Sequence, residues 1–193
     1  LPLVVACEKL ELLPTQDFEG LVTFLRGCTE KWSVGVPFET NPPKQLADAL
    51  HTKIGVLYGL GSWQAVVANR WKGQINENSK NMAFANAFPE LNHNEILGWV
   101  QAADQAKNWL TVVLQDGTES AKMKARSRVT TQLTGAICET HYVQAEGQTL
   151  LEKMLTLALF GDFVSIYLAA LNRVDPENID SINILKAELS KVP

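Results

Sequence analysis

The chain has 193 residues, of which 46% are hydrophobic and 20% are charged, values that fit one globular domain with a sizeable core. Its formal net charge of −4 argues against a nucleic-acid partner, because a surface that follows phosphates needs an excess of Lys and Arg. No uninterrupted apolar run approaches the ~20 residues of a membrane span, since Glu152, Lys153 and Asp162 interrupt the longest candidate, so no membrane segment is expected.

Three cysteines, Cys7, Cys28 and Cys138, occur without CxxC spacing. They predict reduced thiols in a cytoplasmic protein and no metal framework. The chain starts LPLVVACEKLELLP, without an initiator Met or the basic start of a signal peptide. We therefore expect this start to be a cut inside a longer chain.

The first half of the chain alternates helical and strand patterns. Residues 15–31 have apolar side chains at helical spacing, with Thr15 as the expected N-cap. After a Pro- and Gly-bearing link, residues 44–50 predict a short helix capped by Asn41. The compact apolar run 54–58 predicts a buried strand, which the GLGS turn joins to a helix over 62–78.

The second half repeats this alternation. We predict strands over 109–115 and 137–145, separated by a helix over 118–136 that begins at Thr118-Glu119. A long, largely buried helix follows over 149–173, and an amphipathic helix over 181–192 closes the chain. Strands separated by helices imply a parallel sheet covered on both faces, that is, an α/β fold built as a three-layer α/β/α sandwich.

The turn GLGSW joins a predicted strand to a predicted helix. Such a turn can direct backbone N–H groups and a helix N-terminus at a phosphate, which makes Gly59, Gly61 and Ser62 candidate substrate-binding residues. The turn matches neither GxGxxG nor a P-loop, and a purely structural turn remains the alternative.

A carboxylate and an imidazole lie in similar polar settings. Glu77 lies between Asn76 and Asn78, and His93 lies between Asn92 and Asn94. A carboxylate and an imidazole can move protons on and off carbon and oxygen near neutral pH. Taken singly, Glu77 is more often a solvated surface residue, and His93 is more often a loop or cap residue.

Other chemistry-bearing residues are given structural roles. His51 and His141 have no supporting neighbours, and the tryptophans fit core packing because no basic stripe accompanies them. The basic residues between 122 and 128 lie on a predicted helix. They indicate a solvated face, with an anion or subunit contact as the alternative.

Four segments together resemble one family. The runs NPPKQLADAL, IGVLYGLGSWQAVVANRWKGQINENSK, FPELNHNEILGW and LFGDFVSIYLAALNRVDP resemble, in this order, the C-terminal half of bacterial and archaeal bifunctional phosphoglucose/phosphomannose isomerases. The resemblance implies two parts: a linker and helix from the end of a preceding domain (1–34) and a C-terminal sugar isomerase (SIS) domain (35–193). It also implies a flavodoxin-like parallel sandwich, in agreement with the pattern of elements.

The resemblance implies an aldose–ketose isomerase that converts glucose 6-phosphate or mannose 6-phosphate into fructose 6-phosphate through a cis-enediol, without metal or cofactor. It implies that Glu77 is the catalytic base, a role that suits a carboxylate if partial burial raises its pKa toward neutrality. His93 would assist ring opening from the neighbouring subunit of a homodimer. A lysine near the C-terminus would bond the sugar at its ring oxygen; Lys186 is the better match and Lys191 the rival.

Two departures from the family pattern leave questions open. Glu177 and Asn178 follow Asp-Pro where the family often has Thr or Pro, so epimer preference is open. The Ser/Thr-rich phosphate loop of SGNT type does not occur in these residues. We therefore expect little isomerase activity from this stretch alone, because binding of a remote phosphate holds the sugar in reactive geometry. The alternative function is a phosphosugar-binding SIS module without catalysis.

Overall fold

The computed structural model describes residues 1–192 and contains a parallel four-stranded sheet with the strand order β2-β1-β3-β4. The strands are β1 (Ile54–Gly59), β2 (Ala83–Ala87), β3 (Trp109–Gln115) and β4 (Glu139–Gln144). The helices are α1 (Pro2–Lys9), α2 (Phe18–Trp32), α3 (Pro42–Leu50), α4 (Ser62–Ser79), α5 (Glu95–Gly98), α6 (Ala121–Thr134), α7 (Leu150–Asn172) and α8 (Asp180–Leu189). Short 3₁₀ turns span Phe38–Thr40, Glu90–Asn92 and Trp99–Gln101. The strand order is that of flavodoxin-like sheets.

The two faces of the sheet have separate cores. Helices α2, α3, α4 and α7 cover one face, where Trp71 stacks on Phe160 above the buried side chains of β3. The other face, which includes Tyr58 and Val113, is covered by α5, α6 and the turns Glu90–Asn92 and Trp99–Gln101. The predicted three-layer α/β/α sandwich is therefore confirmed.

The helix caps explain where three helices begin. Asn41, Asp17 and Ser120 each accept a hydrogen bond from the backbone N–H three residues later, and these caps start α3, α2 and α6. The cap at Asn41 was predicted correctly. The predicted starts at Thr15 and at Thr118-Glu119 were wrong. Asp17 and Ser120 cap the helices instead, because each lies three residues before a backbone N–H that has no partner within the helix.

Strand β2 was not predicted. Its sequence AFANA consists mainly of alanine, a weak strand former, and only Ala83 is fully buried. The strand forms because its backbone pairs with β1 from Gly55↔Ala83 to Gly59↔Ala87. Tertiary pairing therefore outweighs local preference here.

Helix α7 is the central helix of the layer that it forms with α2, α3 and α4. Its 23 residues are long and apolar enough to cross a membrane by length and composition, which corrects the expectation that no run approaches that length. In the fold its buried residues, including Leu157, Val164 and Leu168, pack against α2, α3 and α4. This is the packing of a core helix in a globular domain.

The first helix, α1, buries none of its residues, whereas the second helix packs into the core. Helix α2 contributes Cys28 and Trp32 to the core beneath α7, and Trp32 makes an edge contact with Phe160. The division of the chain at residue 34 stays a prediction. Helix α8 buries none of its residues.

Candidate active site

Glu77 lies in a cleft of about 800 Å³ beside the last turn of α4. The other walls of the cleft are the α7–α8 loop and the first turn of α8, which contribute Asp175, Ile179 and Ile182. Helix α4 runs back from the end of β1, so its C-terminus and this cleft lie near Ala83, where β2 begins. Glu77 is thus at the amino edge of the sheet.

The residues around Glu77 are anchored by their side chains. Asn76 accepts a hydrogen bond from the backbone N–H of Ala83 at 2.9 Å, and Asn78 donates to the hydroxyl of Ser165 at 2.8 Å. The Glu77 side chain is exposed, so the expectation of partial burial is wrong for this chain by itself, and it makes no hydrogen bond within residues 1–192. Anchored neighbours therefore fix the backbone and leave one carboxylate available to a ligand.

His93 has a comparable setting on another part of the fold. It follows the turn Glu90–Asn92 beyond the end of β2, is exposed, and has no side-chain hydrogen bond in the described residues. Its neighbour Asn92 donates to the hydroxyl of Thr130 on α6 at 2.8 Å, and Asn94 caps α5. As at Glu77, the flanking side chains hold the backbone and the central side chain is available.

Glu95 completes this second arrangement. Its carboxylate accepts hydrogen bonds from the hydroxyl of Tyr58 and, at 2.6 Å, from the amide of Asn86, while the indole of Trp99 donates to the Tyr58 oxygen at 3.0 Å. Burial, together with the neighbouring Glu95 carboxylate, raises the pKa of Tyr58. This network was not predicted from the sequence, in which the run NHNE at 92–95 was its one visible signal.

One chain does not bring Glu77 and His93 together. Ser62 starts α4 at the carboxyl edge of the sheet, and the fifteen residues from there to Glu77 span about 22 Å along the helix axis. His93 follows the carboxyl end of β2, at the edge where α4 begins. The two candidate residues therefore lie at opposite edges.

The predicted substrate turn has structural reasons for its glycines. A Cβ on Gly59 would come within 2.3 Å of the Ala65 backbone nitrogen, and Gly61 has a φ of +139°. Gly61 and Ser62 line a depression of about 210 Å³ whose other wall contains Asp116 and Glu119. These carboxylates weaken an anion site there, and substrate binding by Gly59, Gly61 and Ser62 stays a prediction.

Internal bonds already satisfy these two acids. Glu119 accepts from the Asp116 backbone N–H at 2.6 Å, and Lys153 pairs with the Asp116 carboxylate at 3.2 Å. Burial raises the pKa of Asp116, but hydrogen bonds from Thr118 and Lys153 outweigh it and hold the pKa below its ordinary value.

The two candidate lysines differ in their surroundings. Lys191 pairs with Glu188 at 2.6 Å, whereas Lys186 takes part in no ion pair of the described chain. Lys186 lies four residues after Ile182, so it shares that residue's face of α8 one turn farther from the cleft. The distance from Lys186 to Glu77 thus depends on the orientation of α8 relative to α4.

Within residues 1–192 no group of three or more His, Cys, Asp or Glu side chains is arranged to hold a metal ion. His141, interpreted as structural, pairs with Glu139 at 2.7 Å.

Comparisons with known proteins agree with one another. A family model described as the bacterial phospho-glucose isomerase C-terminal SIS domain matches residues 39–189. The bifunctional phosphoglucose/phosphomannose isomerase of Caldicellulosiruptor bescii is 37% identical to this chain, over all of this chain and 58% of that protein. The bifunctional phosphoglucose/phosphomannose isomerase of Aquifex aeolicus is 33% identical to it, over 77% of this chain and 46% of that protein. The chain spans about half the length of the curated relatives it matches.

Solved structures share the fold. A glucose-6-phosphate isomerase like protein from Thermus thermophilus superposes with a TM-score of 0.67 at 19% identity, over 80% of this chain and 51% of that one. A glucosamine-6-phosphate deaminase from Thermotoga maritima gives a TM-score of 0.61 at 14% identity, over 89% of this chain and 50% of that one. At these identities the likeness concerns the fold alone.

Proposed function

This chain belongs to the family of bacterial phosphoglucose isomerase C-terminal SIS domains, and on that premise we propose that it is the C-terminal catalytic half of an aldose–ketose isomerase for hexose 6-phosphates. The substrates would be glucose 6-phosphate and mannose 6-phosphate, each converted into fructose 6-phosphate. The three cysteines are free, which fits the cytoplasmic location that we also propose.

Glu77 is the proposed base. Its carboxylate takes the proton from C2 of the opened aldose, the electron pair of that C–H bond forms the C1–C2 double bond, and the C1 carbonyl oxygen takes up a proton from water, which gives a cis-enediol. The protonated Glu77 then returns its proton to C1 while the O2 hydroxyl releases its proton to water and becomes the ketose carbonyl, which restores the carboxylate. The observation that carries this role is the unbonded carboxylate of Glu77 in a cleft whose neighbouring asparagines are anchored.

His93 and Lys186 have the supporting roles in this proposal. His93 exchanges a proton with the ring oxygen and O1 during ring opening, for which an unbonded imidazole is suited. Lys186 donates a hydrogen bond on the same side of the sugar. Because Glu77 and His93 lie at opposite edges of one chain, the histidine in each site comes from a second copy in a homodimer.

The test is Glu77→Gln in the natural polypeptide that contains these residues. This variant keeps the shape of the side chain and removes the base, so kcat should fall on the order of 10²–10⁴-fold. The matched control is Glu30→Gln, which alters an exposed glutamate of α2 and should leave kcat unchanged. Turnover by Glu77→Gln at the wild-type rate would reject the base and favour a binding module.

A further inference from the structure

Lys80 has a backbone conformation that is unusual for lysine. It ends α4 with φ 54° and ψ 30°, the left-handed region in which glycine or asparagine usually terminates a helix. Glycine would adopt this conformation without strain, so the contacts of the lysine side chain decide whether it has a role here.

The side chain of Lys80 bridges two segments. Its ammonium group donates to the carbonyl oxygen of Glu77 at 2.6 Å and to that of Pro176 at 3.2 Å. The first bond is favourable because the C-terminal end of a helix carries partial negative charge. Lys80 also lines the same cleft as Glu77.

This bridge is the main polar link to the end of the chain. Within residues 1–192, the Lys80–Pro176 bond is the one hydrogen bond or ion pair that joins residues 175–192 to the chain before α7. Helix α8 buries no residue, so packing contributes little to its position. The wall of the cleft formed by Asp175, Ile179 and Ile182 therefore depends on Lys80.

We propose that Lys80 is a positioning residue that clamps the Glu77 turn of α4 to the segment 175–192 and so sets the geometry of the Glu77 cleft. The same clamp determines how close Lys186, on α8, comes to Glu77. This role rests on the proposed function, because it assigns the reaction to Glu77.

The experiment compares Lys80→Met with Lys72→Met in the natural polypeptide. Methionine keeps the unbranched stem and removes the ammonium group, and Lys72 lies on the same helix without a hydrogen bond or ion pair in the described residues. Lys80→Met should lower kcat by about 10- to 100-fold with KM changed by less than about twofold, because a misplaced base slows chemistry more than binding. Lys80→Arg, which can still donate to both carbonyls, should recover much of that loss.

A second readout needs no turnover. Loss of the clamp should expose the α7–α8 loop, so trypsin should cleave after Arg173 at least about threefold faster in Lys80→Met than in Lys72→Met. The proposal is overturned if either kcat or the cleavage rate of Lys80→Met stays at the wild-type level. If Glu77→Gln keeps full turnover, the proposed function is rejected, and the cleavage rate still decides whether the clamp exists.

Discussion

Glu77 and His93 share one local arrangement despite lying at opposite edges of the sheet. Asn76, Asn78 and Asn92 hydrogen-bond to other elements and Asn94 caps α5, while the central side chains of Glu77 and His93 have no partner in the described residues. Anchored neighbours fix the backbone and so reduce the entropy lost when the free side chain engages a ligand. The asparagines of NEN and NHN therefore position the backbone of the central residue, whose side chain is left for chemistry.

The sequence located these two residues but not what surrounds them. It indicated Glu77 and His93 through the resemblance of their surrounding runs to the isomerase family, because a polar setting alone is more typical of a solvated residue. It missed the roles of Glu95 and Lys80, because their partners Tyr58 and Pro176 are 37 and 96 residues away along the chain. Contacts at such separations depend on the tertiary fold, which local patterns do not specify.

A stability prediction follows for Asp116, whose side chain is 6% exposed and paired with Lys153. Asp116→Asn should lower the free energy of unfolding by roughly 1–3 kcal/mol at neutral pH, because it removes the charge from a buried hydrogen-bonded pair. Urea unfolding of this chain at several pH values measures the loss.

The pH dependence of that loss has a definite sign. The folded pKa of Asp116 is lowered, so the carboxylate stabilises the fold above its unfolded pKa of about 4, and the stabilisation is lost as the pH falls through the folded pKa. Asp104→Asn is the control, since Asp104 is 91% exposed and its pair with Lys107 should contribute less than about 1 kcal/mol. Equal losses in both variants would contradict the assignment.

At the scale of elements, apolar runs were the reliable signal. Strands β1 and β3 are buried on both faces and read as continuous apolar segments, so they were predicted within about a residue. No helix was predicted in the segment between β2 and β3. Helix α5 and the neighbouring turns Glu90–Asn92 and Trp99–Gln101 are too short for a periodic hydrophobic pattern to appear.

The contact between α4 and α7 gives a stability prediction for Gly161. A Cβ on Gly161 of α7 would lie 2.3 Å from the Nε1 of Trp71, whose N–H donates to the Leu157 carbonyl at 2.7 Å. Gly161→Ala should therefore lower the free energy of unfolding by about 1–3 kcal/mol, since the fully buried indole must shift.

The matched control is Gly27→Ala in α2. A Cβ on Gly27 would meet nothing within 4 Å, so alanine should stabilise the helix by about 0.5–1 kcal/mol through its higher helical propensity. Urea unfolding of both variants tests the pair. A neutral or stabilising Gly161→Ala would show that α7 and α4 are not packed as described.

At the scale of the whole molecule, the separation of Glu77 from His93 makes a prediction about assembly. If each proposed site takes Glu77 from one copy and His93 from another, inactive Glu77→Gln and inactive His93→Asn variants of the natural polypeptide should complement each other. Half of a random mixture is mixed dimer with one intact site of two, so co-expression should restore about a quarter of wild-type turnover. Turnover no higher than that of the separate variants would contradict the shared site.

The length of the relatives leads to a further prediction. This chain spans about half of them, and we propose that residues 1–193 alone bind the sugar phosphate too weakly for efficient turnover. A coupled assay for fructose 6-phosphate should give a kcat/KM at least about 10²-fold below that of the longer relatives. Full activity of the 193-residue polypeptide would contradict this proposal.

The proposed removal of a carbon-bound proton by Glu77 is tested most directly by a crystal structure with a stable analogue of the enediolate bound to the natural polypeptide. We predict that a Glu77 carboxylate oxygen lies about 3–3.5 Å from the atoms that stand for C1 and C2. A Glu77 side chain turned away from those atoms, with another acid or base beside them, would contradict the proposed mechanism.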